Sequence, residues 1–321
     1  MRTLLYCLLL GMIPVASQAT TCPDYTVYQS APSFEHPEQE SFQHFWNEWL
    51  SWDQSFHMLH DVVVGEYEST TMTAKFDYGG VFHKDLEDEY IQAYIYGTNM
   101  PHWQPLGRYK TNSDGIAEVE LPGLPAGQYR VKTVVMGDLT QAEGYITVLD
   151  STRKAVVFDI DATLTKSNAE QIKDYLELEL AEPRPGAYRL VKEYMERDYQ
   201  VIFLTARVYW YSSGTRNWLS MMGLPEGILR LSRNNGDSLF RPAQYKAEFL
   251  QDIQSKGVEI YRAYGNATTD VEAYAQAGIP KEETYIIGEY AGYEDTVAIE
   301  ESGYLQHIQD VVLSTPVAIC E

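Results

Sequence analysis

The sequence predicts two domains, a small β-sandwich followed by an α/β domain with a parallel sheet. Between residues 62 and 150, short alternating segments are separated by turn signals, which is the pattern of an immunoglobulin-like sandwich. From residue 151 to 321, apolar runs alternate with helical segments, which is typical of a parallel sheet covered by helices. The length of 321 residues is sufficient for both domains.

Residues 1–19 have the composition of a secretory signal. Arg2 precedes an apolar run from Leu4 to Val15, and small residues end at Ala19. The apolar run is too short to span a bilayer. The sequence therefore predicts an exported protein, periplasmic or secreted, with cleavage near Ala19.

Two cysteines, Cys22 and Cys320, stand near the ends of the predicted mature chain, whereas Cys7 lies within the signal. In an oxidising compartment a disulfide would join Cys22 to Cys320. We favour this disulfide over the alternative of two free thiols.

The formal net charge of −22 limits the classes of partner. Bulk attraction to nucleic acid or to anionic bilayers is disfavoured for so acidic a chain. A phosphorylated substrate would have to be held by a few local cations and a metal ion.

Residues 20–61 are predicted to form a leader and an amphipathic helix. Aromatic residues recur at three- and four-residue steps between Ser41 and His60. Such a stripe could lie on a membrane interface. Its polar face carries Glu48 and Asp53 rather than lysines, so the sequence favours packing against the protein's own domains.

In the β-sandwich region the predicted strands share a two-residue alternation. They are Met72–Tyr78, Tyr90–Tyr96, Ala117–Leu121, Tyr129–Val135 and Tyr145–Val148. An acidic run from Asp85 to Glu89 could bind Ca²⁺, but a solvated loop is the preferred interpretation.

In the α/β region the predicted strands share an apolar run bounded by polar loops. They are Ala155–Phe158, Val201–Leu204, Ile228–Leu231, Ile260–Tyr264 and Tyr285–Ile287. The predicted helices are one opened by Pro185-Gly186, one at Ala243–Ser255 and one at Asp270–Ala277.

The first strand of this domain delivers Asp159 and Asp161 at its carboxyl end, the edge at which open α/β sheets bind ligands. Two carboxylates one residue apart suit Mg²⁺, which takes a few carboxylates together with waters and phosphate oxygens. They also suit phosphoryl transfer, in which one carboxylate attacks phosphorus and the other moves a proton. An Asp-x-Asp pair alone is a weak signal.

Polar residues follow the next strands in the same way. Thr205 ends the second predicted strand, Lys246 lies in the helix after the third, and Asn266 and Asp270 follow the fourth. Each could have a purely structural role, such as a helix cap or a surface cation. Because parallel strands end at one edge of the sheet, the set as a whole predicts a single site.

The motifs DIDATLTKSN, LTAR, FRPAQYKAEFL and AYGNATTDVEAYAQAGIP resemble the haloacid-dehalogenase-like (HAD-like) phosphatases. Within that group they resemble the LNS2 module of the lipins and of the RdgB/Nir-type phosphatidylinositol transfer proteins. The resemblance covers roughly residues 154–312. It implies a Rossmann-like HAD-like fold and, since lipins also carry a β-sandwich, a similar domain arrangement.

The resemblance also implies roles for individual residues. Asp159 would be the nucleophile that forms an aspartyl-phosphate, and Asp161 would protonate the leaving oxygen and then activate water. Thr205 and Lys246 would hold the phosphoryl group, with Thr163 and Arg207 as further substrate-binding residues. The implied Mg²⁺ ligands are Asp159, Asp161 through its carbonyl, Asn266 and Asp270, the last as a ligand or as an orienting residue.

Two features of the motif region affect these expectations. Ala162 occupies a position where the family usually has glycine, and its methyl group is tolerable unless the position needs positive φ. The segment between Thr165 and Pro185 is too short for a large cap domain, so an open site that admits bulky head groups is expected.

Three functions remain open from the sequence. The first is Mg²⁺-dependent phosphomonoester hydrolysis on phosphatidate or a related phospholipid, with peripheral membrane contact. The second is a non-catalytic phospholipid-binding module, and the third is an acid phosphatase acting on soluble phosphate esters. Nucleic acid is not an expected partner of any of them.

Overall fold

A computed structural model describes residues 27–79, 84–150, 153–166, 181–208, 211–224, 227–232 and 240–318. The predicted signal at residues 1–19 lies outside this part of the chain. So do Cys22 and Cys320, and the disulfide between them stays a prediction.

The N-terminal domain is a β-sandwich, as the alternating segments predict. Its described strands are β1 Met58–Leu59, β2 Val62–Gly65, β3 Thr70–Lys75, β4 Asp77–Tyr78, β5 Lys84–Asp85, β6 Tyr90–Gly97, β7 Gln104–Lys110, β8 Ile116–Leu121, β9 Gly127–Val135 and β10 Gln141–Leu149. One sheet has the order β1-β3-β8 and the other β2-β10-β9-β6-β7, while β4 and β5 pair separately. The first strand begins at Met58, ahead of the boundary predicted at residue 62.

The core of the sandwich lies between the two sheets because alternate side chains of each strand face inward. In β8, Ala117, Val119 and Leu121 are buried, whereas the two glutamates between them are exposed. Met72 and Ala74 of β3 join the same apolar cluster, as do Tyr129, Val131 and Val135 of β9.

The segment before the sandwich differs from the helix predicted over residues 41–60. Helix α1 covers only Phe45–Leu50, and the chain then turns and enters the sandwich as β1. Met58 and Leu59 pair with β3 and are buried there, which a helix continuing through them would not allow. The apolar spacing of residues 42–59 was therefore a misleading helix signal, because the last apolar residues belong to a strand.

The expected packing of the aromatic stripe against the protein's own domains is wrong for Phe45, Trp46 and Trp49, whose side chains are largely exposed. Phe42 and Leu50 do pack against the sandwich core, and Leu59 is part of it. Trp52, which follows the helix, is also largely exposed.

The C-terminal domain is a parallel α/β sheet with the order β13-β12-β11-β14-β15-β16. Its strands are β11 Lys154–Phe158, β12 Gln200–Val208, β13 Ile228–Ser232, β14 Glu259–Gly265, β15 Thr284–Ile287 and β16 Val297–Ile299. The described helices are α2 Ala187–Met195, α3 Ser212–Met221, α4 Pro242–Ser255, α5 Thr268–Gln276 and α6 Leu305–Asp310. The strands and helices predicted for this domain lie within or close to these bounds.

Both faces of this sheet are covered. In β11, Val156 and Phe158 join one apolar cluster, while Ala155 and Val157 join the cluster on the opposite face. This explains why the strand reads as an unbroken apolar run rather than as an alternation. The strand order reverses between β11 and β14, and such a switch point opens a crevice at the carboxyl ends of the strands.

Of the segment between Thr165 and Pro185, residues 167–180 lie outside the described chain. The absence of a large cap therefore stays a prediction. No helix in the described ranges is long and apolar enough to cross a membrane.

Candidate active site

The Asp-x-Asp motif lies at the switch point of the sheet. Asp159 directly follows β11, and its backbone N–H donates to the carbonyl of Tyr264 in β14 at 2.9 Å. The chain then turns, and the N–H groups of Leu164 and Thr165 both donate to the carbonyl of Ile160. This turn places Asp159 and Thr163 beside Asn266, which follows β14, and it places Asp161 beside β12.

Asp159 is 4% exposed, and both of its carboxylate oxygens have partners. Lys246 Nζ donates to Oδ1 at 2.6 Å, and Thr163 Oγ1 donates to Oδ2 at 2.9 Å. Burial raises the pKa of Asp159 to about 7, although the ammonium of Lys246 opposes this rise. The carboxylate of Asp159 is thus shielded from water and paired with the ammonium of Lys246.

Lys246 comes from α4 and forms a bridge between two carboxylates. Its Nζ also donates to Asp270 Oδ1 at 2.6 Å. Desolvation alone would lower the pKa of Lys246, but the charges of Asp159 and Asp270 raise it above its usual value. A buried ammonium between two acids therefore stays charged.

Asp270, in the first turn of α5, is fixed by backbone groups as well as by Lys246. Its Oδ2 accepts hydrogen bonds from the N–H groups of Asn266 and Ala267, each at 3.0 Å. A Cβ added at Gly265 would lie 2.6 Å from the Cβ of Asp270, so only glycine allows this close approach. Both Asp270 oxygens are thereby committed to orienting the loop and the lysine.

Asp161 has a separate set of partners on β12. Thr205 Oγ1 donates to its Oδ2 at 3.0 Å, and Arg207 donates through Nε and Nη2 at 2.6–3.0 Å. The other guanidinium nitrogen, Nη1, donates to Thr215 Oγ1 at 3.0 Å. Because the guanidinium is committed to these two side chains, Arg207 fixes the orientation of Asp161.

Asn266 completes the site beside Asp159. Thr163 Oγ1 lies 3.1 Å from Asn266 Oδ1 and 2.9 Å from Asp159 Oδ2. A threonine hydroxyl has one proton, so it can donate to only one of these two oxygens. The side-chain oxygens of Asp159 and Asn266 therefore both lie within hydrogen-bonding distance of a hydroxyl that has a single proton to donate.

The structure therefore brings together every site residue that the sequence predicts. Two groups form around the two carboxylates: Asp159 with Lys246, Asp270, Thr163 and Asn266, and Asp161 with Thr205 and Arg207.

Ala162 adopts φ = 54°, so this position does need the left-handed conformation that favours glycine. Its backbone is held on both sides. Thr165 Oγ1 accepts from the Ala162 N–H at 3.0 Å, and Arg184 Nε donates to the Ala162 carbonyl at 2.9 Å. The methyl group makes this turn a strained one.

Sequence reasoning missed two residues that support the motif. Arg184 holds the Ala162 carbonyl, and the buried Tyr304 donates through its hydroxyl to the carbonyl of Thr163 at 2.8 Å. Neither residue lies in a motif that predicts such a role, and the chain contains 25 tyrosines, so the sequence offers no signal that singles out Tyr304.

The acidic run from Asp85 to Glu89 forms no cation site. Asp85 pairs with Lys75, Glu87 with Lys84, and Asp88 with Lys110. Within the described ranges, His, Cys, Asp and Glu do not gather in any group of three or more that could hold a metal ion. At the switch point, Lys246 pairs with Asp159 and Asp270, and Arg207 pairs with Asp161.

Two family models match the chain, one for each domain. Residues 55–148 match the beta-sandwich domain of PITM 1-3, and residues 156–288 match the LNS2 domain of PITM 1-3. The two matches follow the domain division that the structure shows.

Similar curated proteins include membrane-associated phosphatidylinositol transfer protein 3 of Homo sapiens, 29% identical over 259 residues. This match covers 78% of the present chain and 26% of the human protein. Membrane-associated phosphatidylinositol transfer protein 1 of Rattus norvegicus is 31% identical over 240 residues, which is 73% of this chain and 18% of that protein. The chain thus spans about a quarter or less of these relatives.

Among solved structures, a HAD-like phosphatase from Mesorhizobium loti is 12% identical, with a TM-score of 0.38. The likeness covers 50% of this chain and 85% of that one. At that score it carries no argument about function.

The predicted export, periplasmic or secreted with a cleaved signal, is wrong. The two curated relatives above are named as membrane-associated phosphatidylinositol transfer proteins, not as secreted or periplasmic proteins. A hydrophobic N-terminal run was therefore an insufficient basis for assigning a compartment.

The four motif blocks, the parallel sheet that presents them and the two matching domain models agree. The chain belongs to the LNS2 family, with its LNS2 domain at residues 156–288 preceded by the β-sandwich of the same proteins.

Proposed function

We propose that this chain hydrolyses a phosphomonoester through an aspartyl-phosphate, with Mg²⁺ as cofactor and phosphatidate or a related phospholipid as substrate. The observation that carries the proposal is that the two motif carboxylates, Asp159 and Asp161, have different hydrogen-bonding partners. Asp159 lies against a buried lysine, and Asp161 is oriented from the neighbouring strand by Thr205 and Arg207.

In the first step an oxygen of Asp159 attacks phosphorus, and the bond between phosphorus and the alcohol oxygen breaks. Asp161 gives a proton to that departing oxygen. Lys246 and Thr163 already contact the attacking carboxylate, so they are positioned to contact the phosphoryl oxygens that arrive beside it. Their fixed dipoles and charge would stabilise the charge that develops during transfer.

In the second step Asp161 takes a proton from water, whose oxygen attacks the phosphorus of the aspartyl-phosphate. The bond to Asp159 breaks, and inorganic phosphate leaves with the carboxylate restored. The contacts from Thr205 and Arg207 keep Asp161 in one orientation for both proton transfers.

The oxygen atoms around Thr163 fit Mg²⁺. Asp159 Oδ2 and Asn266 Oδ1 approach one hydroxyl that can donate to only one of them, and these are hard oxygen donors of the kind that Mg²⁺ prefers. Asp159, Asn266 and the main-chain carbonyl of Asp161 would hold the ion, with Asp270 as the orienting residue. When bound, Mg²⁺ would neutralise charge on the phosphoryl oxygens.

A phospholipid substrate is supported by the names of the relatives, which are phosphatidylinositol transfer proteins. The test is phosphate release from phosphatidate, lysophosphatidate and soluble phosphate esters, with and without Mg²⁺. Wild type should release phosphate from the lipids in the presence of Mg²⁺, and Asp159→Asn should lower the rate by about a thousandfold or more, as expected for loss of a nucleophile.

Asp114→Asn, an exposed aspartate in a turn of the sandwich, is the matched control and should retain the wild-type rate. Circular dichroism should show that Asp159→Asn is folded. Absence of Mg²⁺-dependent release from every ester by wild type would overturn the proposal, whereas release from soluble esters alone would overturn the lipid substrate.

A second candidate is a phospholipid-binding module without turnover. It is favoured by the names of the two curated relatives above, which describe transfer proteins rather than phosphatases. Flotation with phosphatidate-containing vesicles separates the two. Selective binding without phosphate release would support this candidate, and binding accompanied by turnover that Asp159→Asn removes would exclude it.

A further inference from the structure

Helix α1 turns the polar side chain of Asn47 toward the sandwich. Asn47 is its buried residue, and the amide Nδ2 donates to the carboxylate of Glu89 and to the carbonyl of Glu87, each at 2.8 Å. The backbone N–H groups of Gln43 and His44 donate to the same carboxylate at 2.9 and 3.0 Å. The aromatic side of the helix consequently faces away from the sandwich.

Apolar contacts hold the chain just before helix α1 and at its last residue. Phe42 lies so close to Gly137 that a Cβ added there would be 2.4 Å from its ring, and Leu50 packs against the sandwich core. Glu89, which holds the middle of the segment, is 2% exposed. The outward direction of the aromatic residues is therefore built into the fold and is not the consequence of a loosely attached helix.

The side chains on the outward side form what we call the aromatic face, which consists of Phe45, Trp46, Trp49 and Trp52. Their exposed fractions are 71%, 71%, 57% and 80%. Three of the six tryptophans of the chain are gathered within these eight residues. A contiguous exposed group of this kind marks an interaction surface, whereas single exposed apolar residues do not.

We infer that the aromatic face docks on the headgroup region of a zwitterionic, choline-type phospholipid surface. Tryptophan and phenylalanine combine a large apolar body with a preference for the membrane–water interface, where the ring meets both headgroup and acyl chain. The exposed acids Glu48 and Asp53 belong to the same stretch of the chain, and a quaternary ammonium is attracted both by carboxylates and by aromatic faces. The inference depends on membrane contact but not on catalytic turnover.

The negative charge of the chain favours this surface over an anionic bilayer and over a second copy of the chain. With a formal net charge of −22, the chain is repelled by a strongly anionic bilayer, and the aromatic face itself carries acids rather than lysines. A second copy docked face to face would bring Glu48 and Asp53 of each copy close to the same residues of the other, which like-charge repulsion opposes.

The test is sedimentation of the full chain with vesicles of pure phosphatidylcholine, compared with Trp46→Ser/Trp49→Ser. The double variant should bind roughly tenfold or more weakly, because two large side chains are removed from the interface. Binding of wild type should change little between low and high salt. At low salt, it should fall as phosphatidylserine replaces phosphatidylcholine.

Tyr67→Asn is the matched control, since Tyr67 is 69% exposed on the same sandwich but far from α1 in sequence, and its positive φ suits asparagine. It should bind vesicles like wild type. Phosphate release from a soluble ester should be equal in wild type and the double variant, so failure of docking is separated from failure of catalysis.

Three results would overturn the inference. The first is an absence of wild-type binding to phosphatidylcholine vesicles, and the second is equal binding by wild type and the double variant. The third is a concentration-dependent dimer, seen by sedimentation velocity, that the double substitution abolishes, because the aromatic face would then be an interface between copies.

Discussion

Glu89 in the β-sandwich and Asp159 in the α/β domain are both buried carboxylates, yet their partners differ in kind. Glu89 accepts hydrogen bonds from two backbone N–H groups and an amide, all of them neutral donors. Asp159 accepts hydrogen bonds from the ammonium of Lys246 and the hydroxyl of Thr163, and both of these donors are also able to bind a phosphoryl group. Burial alone does not distinguish a structural acid from the nucleophile that we propose, whereas the chemistry of the partners does.

The two domains differ in the same way on a larger scale. Acids of the sandwich, such as Asp88 and Glu143, pair with cations that are themselves partly exposed, so water weakens these interactions. In the α/β domain, Lys246 holds two acids at once beneath the surface. Because Asp159 and Asp270 share Lys246, removing one of these three charges should change the interactions of the other two.

The largest expected effect is that of Lys246→Met. It leaves the Oδ1 atoms of Asp159 and Asp270 without the ammonium that both now contact, and breaking a buried pair of this kind costs about 3–5 kcal/mol. Urea denaturation should show this loss, together with a loss of phosphate release. Lys256→Met removes the ion pair with the exposed Asp252, and it should lower the free energy of unfolding by about 0.5 kcal/mol or less. Equal effects of the two substitutions would contradict the comparison.

Acid should destabilise the sandwich through His57. Desolvation lowers the pKa of His57 to about 3 in the folded state, so between pH 6.5 and 4 the unfolded chain binds a proton that the folded chain does not. Stability therefore falls as the pH falls, by about 3 kcal/mol at pH 4 from this residue. His307 contributes in the same direction in the α/β domain, since burial lowers its pKa to about 4.

The raised pKa values of Asp77 and Asp159 act with the opposite sign, because these folded-state carboxyls bind protons before the unfolded ones do. The histidine contribution is therefore isolated by comparing wild type with His57→Gln in urea denaturation at pH 7 and pH 4.5. The variant should lose less stability over this interval. An identical loss in both proteins would show that His57 is not the titrating group.

Glu89→Gln tests the structural acid. The neutral amide cannot accept all the N–H donors that now converge on the carboxylate, so we expect a loss of about 1–3 kcal/mol. Binding to phosphatidylcholine vesicles should weaken because α1 loses its central attachment, while phosphate release from a soluble ester should stay at the wild-type rate. Reduced release in a folded variant would mean that the two domains are coupled.

The smallest expected effect is that of Ala162→Gly. Glycine relieves the positive φ of 54° and should stabilise the chain by about 0.5–1 kcal/mol, measured as a higher midpoint in urea. Ala187→Gly, in the first turn of α2, should destabilise by a similar amount because its φ is helical. Destabilisation by Ala162→Gly would show that the methyl group provides packing that outweighs the strain.

The elements of the α/β domain could be predicted because their signals are local. An apolar run such as Val156–Phe158 followed by Asp159 predicts a buried strand with a polar end, and parallel strands necessarily end at one edge. The same argument brought Thr205, Lys246 and Asn266 to the site. The helix over residues 41–60 could not be predicted correctly, because helical spacing and strand pairing compete there and the pairing of Leu59 with β3 is a long-range contact.

By itself, the sequence determined the two domains and the set of residues that meets at the switch point, since strand periodicity and chain order are enough to place them. Only the tertiary structure decided which residue contacts which. That Lys246 bridges Asp159 and Asp270, that Arg207 holds Asp161, and that Tyr304 supports Thr163 all depend on distances between segments far apart in the chain. It also decided that α1 turns its aromatic residues outward, because the carboxylate that holds Asn47 inward belongs to Glu89, just before β6 and some forty residues later in the chain.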